Sequence, residues 1–159
     1  MSDKLFIICI ASAIGFLIGK SIHSKCVKSR LFYDGLCDFS SDLLQNLSFR
    51  QDNFPSFIDK LEERSNKVFV RQLDYLRSYM NGNKLILVEE CEKMDVAEIS
   101  EFFEKIGTLD LITQIEEVKG EITSFQKMRE RAIEKEKKKG ETAIKIGLLC
   151  GFAIGILLI

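Results

Sequence analysis

The feature that most constrains this chain is its carboxyl-terminal stretch, which has no charged side chain from Ile146 to Ile159. A helix from Thr142 to Ile159 would rise about 1.5 Å per residue and cover roughly 27 Å, close to the thickness of a bilayer's hydrocarbon core. The stretch therefore predicts a transmembrane helix over residues 142–159, at the end of the chain.

The residues before this stretch continue the helical pattern. Gly107 closes the preceding segment, and residues 127–141 are rich in charges of both signs. Between them, apolar residues recur four and three positions apart, which keeps one stripe facing a partner, as in a coiled-coil seam. These residues are Leu111, Ile115, Val118, Ile122 and Phe125. We expect residues 107–159 to form one long helix that begins in water and ends in a membrane.

The amino-terminal end is apolar as well. Residues from Leu5 to Gly19 are uncharged, and the lysines that flank them, Lys4 and Lys20, can snorkel to the membrane surface. A cleaved signal peptide is the competing interpretation, but Asp3 lies beside the first lysine and no A-x-A-like cleavage site follows. We therefore favour a retained transmembrane helix over residues 1–22.

Both predicted spans carry small residues four positions apart, which places each set on one face of its helix. Such faces let another backbone approach closely, although glycine is common in membrane helices and the match could be chance. The contact could join the two spans to each other or to another protein. The small residues are Ala11, Gly15 and Gly19 in the first span, and Gly147, Gly151 and Gly155 in the last.

Basic side chains flank the central region at both ends, and neither terminus has a comparable cluster. By the positive-inside rule, residues 23–141 are expected to face the cytoplasm. The lysines nearest the last span could also bind anionic lipid headgroups. The flanking basic residues are Lys20, Lys25, Lys28 and Arg30 on one side, and Lys127, Arg129, Arg131, Lys135, Lys137, Lys138 and Lys139 on the other.

Composition and motifs narrow the function further. The chain has 159 residues, enough for one modest domain plus membrane segments, and its net charge of −1 gives no global electrostatic case for nucleic-acid binding. Its five cysteines form no CxxC pair, which favours free thiols over a disulfide framework or a zinc site. His23 is the only histidine, and no catalytic motif is present. We expect no enzyme activity, no cofactor and no metal.

The central region has the pattern of an all-α domain. A chain rich in Leu, Ile, Glu and Lys with one proline and no tryptophan favours helices. The resulting fold class is a bundle of about five helices between an N-terminal and a C-terminal transmembrane helix. The helices expected before the last one span residues 26–49, 56–80 with a break near 64–66, 85–94 and 95–107.

Individual boundaries rest on local signals. Pro55 suits a first helical turn after the loop 50–53, and Asn81–Gly82–Asn83 suits a helix end. The run LILV at the start of segment 85–94 could be a strand, but no second strand is visible to pair with it, so a helix is expected. Asp95 to Glu98 resembles a capping box.

Taken together, the chain resembles the stage III sporulation protein AB family of endospore-forming bacteria over essentially its whole length. The most specific match is Gly107, Asp110 and Gln114 in IGTLDLITQI, similar to the family's G-x-x-D-x-x-x-Q pattern. The charged run into IKIGLLCGFAIGILLI and the turn from Phe49 to Pro55 are also similar. One departure is Asn46–Leu47, which stands where the family usually has a Glu-Ile pair.

The resemblance implies a cytoplasmic domain similar to that of type II secretion F platform proteins. It implies a place in the membrane complex that links mother cell and forespore, in the mother-cell membrane around the forespore. The implied partners are other stage III sporulation membrane proteins and a cytoplasmic secretion-type ATPase, besides the lipid bilayer. The chain would then be a non-enzymatic platform component.

A different class of function stays open beside this one. Glycine-faced spans could let the chain associate with itself, as a homo-oligomeric membrane-remodelling or holin-like protein with a cytoplasmic regulatory domain. A holin rarely needs more than a hundred cytoplasmic residues, which favours the platform. Within the family motif, Asp110 could cap its own helix, or it could join Gln114, one turn later on the same face, in a polar contact to a partner.

Overall fold

The computed structural model of this protein describes residues 2–50 and 52–158, with side chains from Phe6 onward. Met1 and Ile159 of the predicted spans, and Gln51 of the predicted loop, lie outside the described residues. The described chain consists of helices and connecting turns, with no β-strand among those residues. The predicted all-α class is confirmed.

The helices form five continuous segments. The first is α1, Ser2–Gln45, which a π-helical turn extends over Asn46–Arg50. The next three are α2, Phe54–Glu62; α3, Lys67–Met80; and α4, Val96–Lys105. The last comprises α5, Leu111–Lys135, a π-helical turn over Glu136–Gly140, and α6, Glu141–Leu157. The long C-terminal helix is thus present, and it begins at Leu111, directly after Asp110, the residue that the sequence suggested as its cap.

The chain folds into two compact units. One joins the part of the chain up to Lys28 with the part from Arg131 onward, and the other is Ser29–Glu130. We call the first the terminal helix pair and the second the helical domain. The membrane boundaries predicted after Ile22 and Glu141 stay predictions.

The core of the helical domain is built from aromatic side chains. Phe39 of α1 is fully buried, and its ring centroid lies 5.6 to 6.3 Å from those of four other phenylalanines. These rings come from α2, α3 and α4: Phe57, Phe69, Phe102 and Phe103. Three of the four pairs are edge-to-face, the arrangement that aromatic quadrupoles favour, and the fourth is tilted. Residues up to 64 positions along the chain from Phe39 therefore pack around its side chain.

Asparagines start α2 and α3. The Asn53 side chain accepts a hydrogen bond from the Ser56 amide at 3.0 Å, with Pro55 in the first turn. The Asn66 side chain accepts from two amides of α3 and donates to the Leu31 carbonyl at 2.8 Å. The predicted break near residues 64–66 is confirmed, because Asn66 is used to start a new helix.

The helix predicted over residues 85–94 is wrong, and this segment is an irregular loop. The side chain of Gln72, fully buried on α3, donates to the Ile86 carbonyl at 3.1 Å and accepts from the Val88 amide at 3.0 Å. Side chains elsewhere thus satisfy backbone groups that a helix would pair internally. Val88 and Cys91 are buried, so this loop contributes side chains to the core although it is not helical.

The capping box predicted at Asp95 is also wrong. Although α4 begins directly after it, Asp95 makes no side-chain capping bond, and its carboxylate instead accepts from the Tyr33 hydroxyl at 2.5 Å. The same hydroxyl accepts from the Glu92 amide at 3.0 Å. Burial and the bond to Asp95 both raise the pKa of Tyr33. The carboxylate therefore holds the end of the loop against α1.

Candidate functional site

In the terminal helix pair, α1 and α6 touch along the small residues that the sequence singled out. A Cβ added to Gly15 would meet the carbonyl oxygen of Gly147, and a Cβ added to Gly147 would meet that of Gly15. At Gly19 it would meet Ala143 and come within 2.8 Å of the Ile144 Cα. Only a hydrogen atom fits between the two backbones at these positions.

The contact continues along α6. A Cβ on Gly151 would meet the carbonyl oxygen of Ala11 and lie 2.9 Å from the Ser12 Cα, and one on Gly155 would lie 2.8 Å from the Ile8 Cα. Residue numbers fall on α1 as they rise on α6, so the helices are antiparallel. The two predicted sets of small residues therefore face each other within one chain.

Both of these helices are long and apolar enough to cross a membrane. The continuous helices Phe6–Arg50 and Leu111–Leu157 contain windows with mean hydropathy of 1.8 and 1.6. Only 11% and 17% of those windows are buried within the chain. The core helix of a soluble protein would be mostly buried, which these windows are not.

The π-helical turn before α6 carries three lysines and ends at a glycine. Lys137, Lys138 and Lys139 are exposed, and a Cβ on Gly140 would lie 2.8 Å from the Nδ1 atom of His23. His23 therefore packs against the backbone of this turn. Within the described residues, no group of three or more metal-ligating side chains comes together, here or elsewhere.

The family motif at the start of α5 divides into an exposed cap and a buried amide. Gly107, two residues after the end of α4, has a φ of 79°. This left-handed conformation suits glycine and is common just after a helix end. The Asp110 carboxylate accepts from the Thr113 amide at 3.1 Å, and hydrogen bonds from Thr113 hold the pKa of Asp110 below its ordinary value. Gln114, one turn later, is only 7% exposed. Of the carboxylate and the amide, only Asp110 is available to a partner, and that role stays a prediction.

Ion pairs that sequence reasoning missed hold this region together. The Lys105 ammonium lies 2.8 Å from the Glu101 carboxylate on α4 and 2.5 Å from the Glu117 carboxylate on α5. Those bonds raise the pKa of Lys105. On α1, Asp34 lies 2.7 Å from the Arg129 guanidinium of α5. Glu101 and Lys105 are four positions apart on α4, but the other two pairs join different helices, and no local sequence signal identifies them.

The stripe predicted on α5 is shifted in the structure. Val118 and Phe125 are buried as expected, and Ile115 and Ile122 are half-buried, but Leu111 is 45% exposed. The buried line instead includes Gln114 and Met128. Since the helix starts at Leu111, its first turn projects beyond the core, which leaves Leu111 and Ile112 accessible.

Asn46, which stands where the resemblance expects a glutamate, has a structural task. Its side-chain amide donates to the Asp52 carbonyl at 3.2 Å, and its oxygen accepts from the Asp52 amide at 3.2 Å. Asn46 is 5% exposed. A carboxylate could accept but not donate in this pair, so the asparagine matches the turn found here.

Comparison with known proteins points to one family. No match was found among curated proteins or among solved structures. A model of the family described as stage III sporulation protein AB matches residues 4–159, which takes in both apolar helices and the whole helical domain. On that match, the chain belongs to the stage III sporulation protein AB family.

Proposed function

We propose that this sporulation protein is a non-enzymatic, two-span membrane platform of the stage III transport complex between mother cell and forespore. Its helical domain faces the cytoplasm and contacts a secretion-type ATPase, which supplies the energy. Other stage III membrane proteins are its neighbours in the bilayer. A resemblance of the domain to type II secretion F proteins is part of this proposal.

The observation that carries the proposal is the glycine contact between α1 and α6. Because the two helices are antiparallel and in backbone contact, a chain inserted through both returns to the side of the membrane from which it started. The domain between them is then held to the membrane at both of its ends. Such a double anchor suits a platform against which a motor works.

The basic residues at both ends of the domain support its cytoplasmic side. The turn at Asn81–Gly82 offers a test, since Gly82 has a φ of 90° and no atom lies within 4 Å of an added Cβ. A reporter active only in the cytoplasm, inserted there, will be active. Activity only from a periplasm-specific reporter would contradict the orientation.

The start of α5 is the proposed partner contact on the domain. Asp110 is exposed there, and Ile112, two residues on, is 72% exposed. The exposed isoleucine offers a partner apolar surface to bury, and the carboxylate offers it a charge. Leu111, at 45% exposed, adjoins them.

Co-purification of the full chain from sporulating cells tests the whole proposal. The wild type is expected to retain a secretion-type ATPase and other stage III membrane proteins. Asp110→Asn keeps a capping oxygen but removes the charge, so it should reduce recovery of partners more than it lowers domain stability. Ile112→Ser should act likewise, whereas Ile86→Ser, at a comparably exposed loop position, should not. Absence of the ATPase from the wild-type sample would contradict the platform.

The holin-like alternative has less support. It needs the glycine faces to bind other copies of the chain, whereas each face is in contact with the other within one chain. Expression of the full chain in a non-sporulating host distinguishes the two functions. A holin-like protein would make the membrane leak to small dyes, and a platform without its partners would not.

A further inference from the structure

A groove of about 540 Å³ runs along the terminal helix pair beside the π-helical turn. Small residues line it at the helix contact, Gly19 and Ala143, and apolar side chains, Ile22 and Ile146, line it farther out. Its volume is in the range of ligand-binding clefts. An extended apolar chain fits such a surface, because small side chains leave space for it beside the helix backbones.

One end of this groove is cationic. Lys138 and Lys139 line it along with the apolar residues. On the last helix the lining runs from Lys138 to Gly147, which at about 1.5 Å per residue is roughly 14 Å. Lys138 lies 3.3 Å from the Glu134 carboxylate, but both groups are well exposed, and such surface pairs are weak enough to exchange.

A second groove on the same helix pair gives the contrast. It measures about 440 Å³ and is lined by Ile10, Gly151 and other residues of the two helices, none of them charged. A neutral acyl chain could lie in either groove. Of these two grooves, only the first has lysines in its lining.

We propose that the first groove binds an anionic phospholipid of the surrounding bilayer, with its phosphate at Lys138 and Lys139 and its acyl chain along Ile22 and Ile146. The inference rests on the membrane insertion in the proposed function. Basic pockets between membrane helices on the cytoplasmic side are suited to such headgroups, since the cations attract the phosphate and the helices hold the chain. The bound lipid would lie along the side of the helix contact, which continues past the groove to Gly140 and His23.

Native mass spectrometry of the detergent-purified full chain tests this site. The protein is exposed to an equal mixture of phosphatidylglycerol and phosphatidylcholine, and the lipids retained are counted. The wild type should retain phosphatidylglycerol in preference. The double variant Lys138→Gln/Lys139→Gln should bind it about tenfold more weakly. Equal retention of the two lipids by the wild type would overturn the proposal.

A matched double variant separates a site from general charge. Lys135→Gln/Lys137→Gln removes the same charge from the same stretch but alters no residue that lines the groove. It should retain phosphatidylglycerol as the wild type does. An equal loss of phosphatidylglycerol retention in both double variants would mean that the lysines attract the lipid only through their general charge. That result would overturn the proposed site.

A third variant tests the apolar part. Thr142→Phe places an aromatic ring in the groove and should lower phosphatidylglycerol retention several-fold, whereas Leu149→Phe, outside the groove, should not. Unchanged retention in a helical Thr142→Phe protein would contradict the acyl-chain position. If the chain did not insert into a membrane at all, it would stay soluble without detergent. That result would contradict the proposed function and is distinct from loss of lipid binding.

Discussion

The two compact units of this chain differ in what packs their helices internally. In the terminal helix pair, contact depends on having almost no side chain, since Gly15 and Gly147 bring two backbones together. In the helical domain it depends on large side chains, with Phe39 touching rings from three other helices. Water rewards the burial of apolar area, whereas lipid does not, so close backbone packing takes its place in a membrane. The difference is the one expected if the terminal helix pair lies in lipid and the helical domain in water, as the proposed function requires.

The largest expected effect is on the aromatic core. Phe39→Ala leaves a cavity among four rings and should lower the free energy of unfolding by about 3–5 kcal/mol. Urea unfolding of the full chain in detergent, followed by circular dichroism, measures this. Phe49→Ala, at a position 83% exposed, should change it by less than about 0.5 kcal/mol. Similar losses for both variants would contradict the proposed core.

A substitution at the glycine contact should act by adding atoms instead of removing them. Gly151→Leu forces a side chain into the Ala11 backbone and should cost roughly 3 kcal/mol of helix packing, moving the helices apart by several ångström. Spin labels on Cys9 and Cys150, both exposed, report the separation in a chain whose other cysteines are alanine. Leu149→Ala is the control and should leave the distance unchanged. An unchanged distance in Gly151→Leu would mean that the two helices are not in contact.

Glycine also occurs in the helical domain, where it sharpens the comparison. A Cβ on Gly35 would collide with the Phe69 ring, so Gly35→Ala should destabilise the domain by about 1–3 kcal/mol. Gly120 on α5 has open space, and Gly120→Ala should stabilise by up to about 1 kcal/mol because alanine favours helix. Urea unfolding measures both. Equal effects would mean that Phe69 yields easily to the added methyl group.

The smallest effect concerns pH and belongs to the domain alone. Burial raises the pKa of Cys91 to about 12 and that of Cys37 to about 11. The unfolded thiols ionise near their ordinary pKa of 9.0, so stability is fully present below that pH and is lost as pH rises toward the folded values. We expect the free energy of unfolding to fall by about 1 kcal/mol for each of the two thiols between pH 9 and pH 10.

A cysteine variant separates this effect from other alkaline titrations. The free energy of unfolding of Cys91→Ala should fall less steeply with pH than that of the wild type, because the variant lacks one thiol whose pKa is raised. Tyr33, whose pKa is also raised by burial, contributes in the same direction in both proteins. Identical slopes would mean that the Cys91 thiol is not buried in solution.

Local patterns were sufficient wherever one segment determines its own structure. The apolar ends of the sequence predicted two helices, which the structure contains. Pro55 likewise predicted the start of a helix, and Gly107 the end of one. The same reasoning failed for residues 85–94, where buried side chains from elsewhere, Gln72 and Tyr33, bind the backbone. A local pattern cannot show partners that lie 14 and 59 positions away.

The motif at α5 shows the same limit within a functional candidate. Its spacing placed Asp110 and Gln114 on one helix face, yet one is an exposed cap and the other is buried. The spacing is a property of the helix alone, whereas burial depends on how far the first turn extends past the core.

By itself, the sequence determined the all-α class, the two apolar helices and the faces on which their glycines lie, because helical periodicity and hydropathy are local properties. Tertiary structure decided that those faces meet each other, that Asp95 binds Tyr33 instead of capping α4, and that Lys138 and Lys139 share a groove with Ile22. Each of these is a contact between distant residues, set by how whole helices pack.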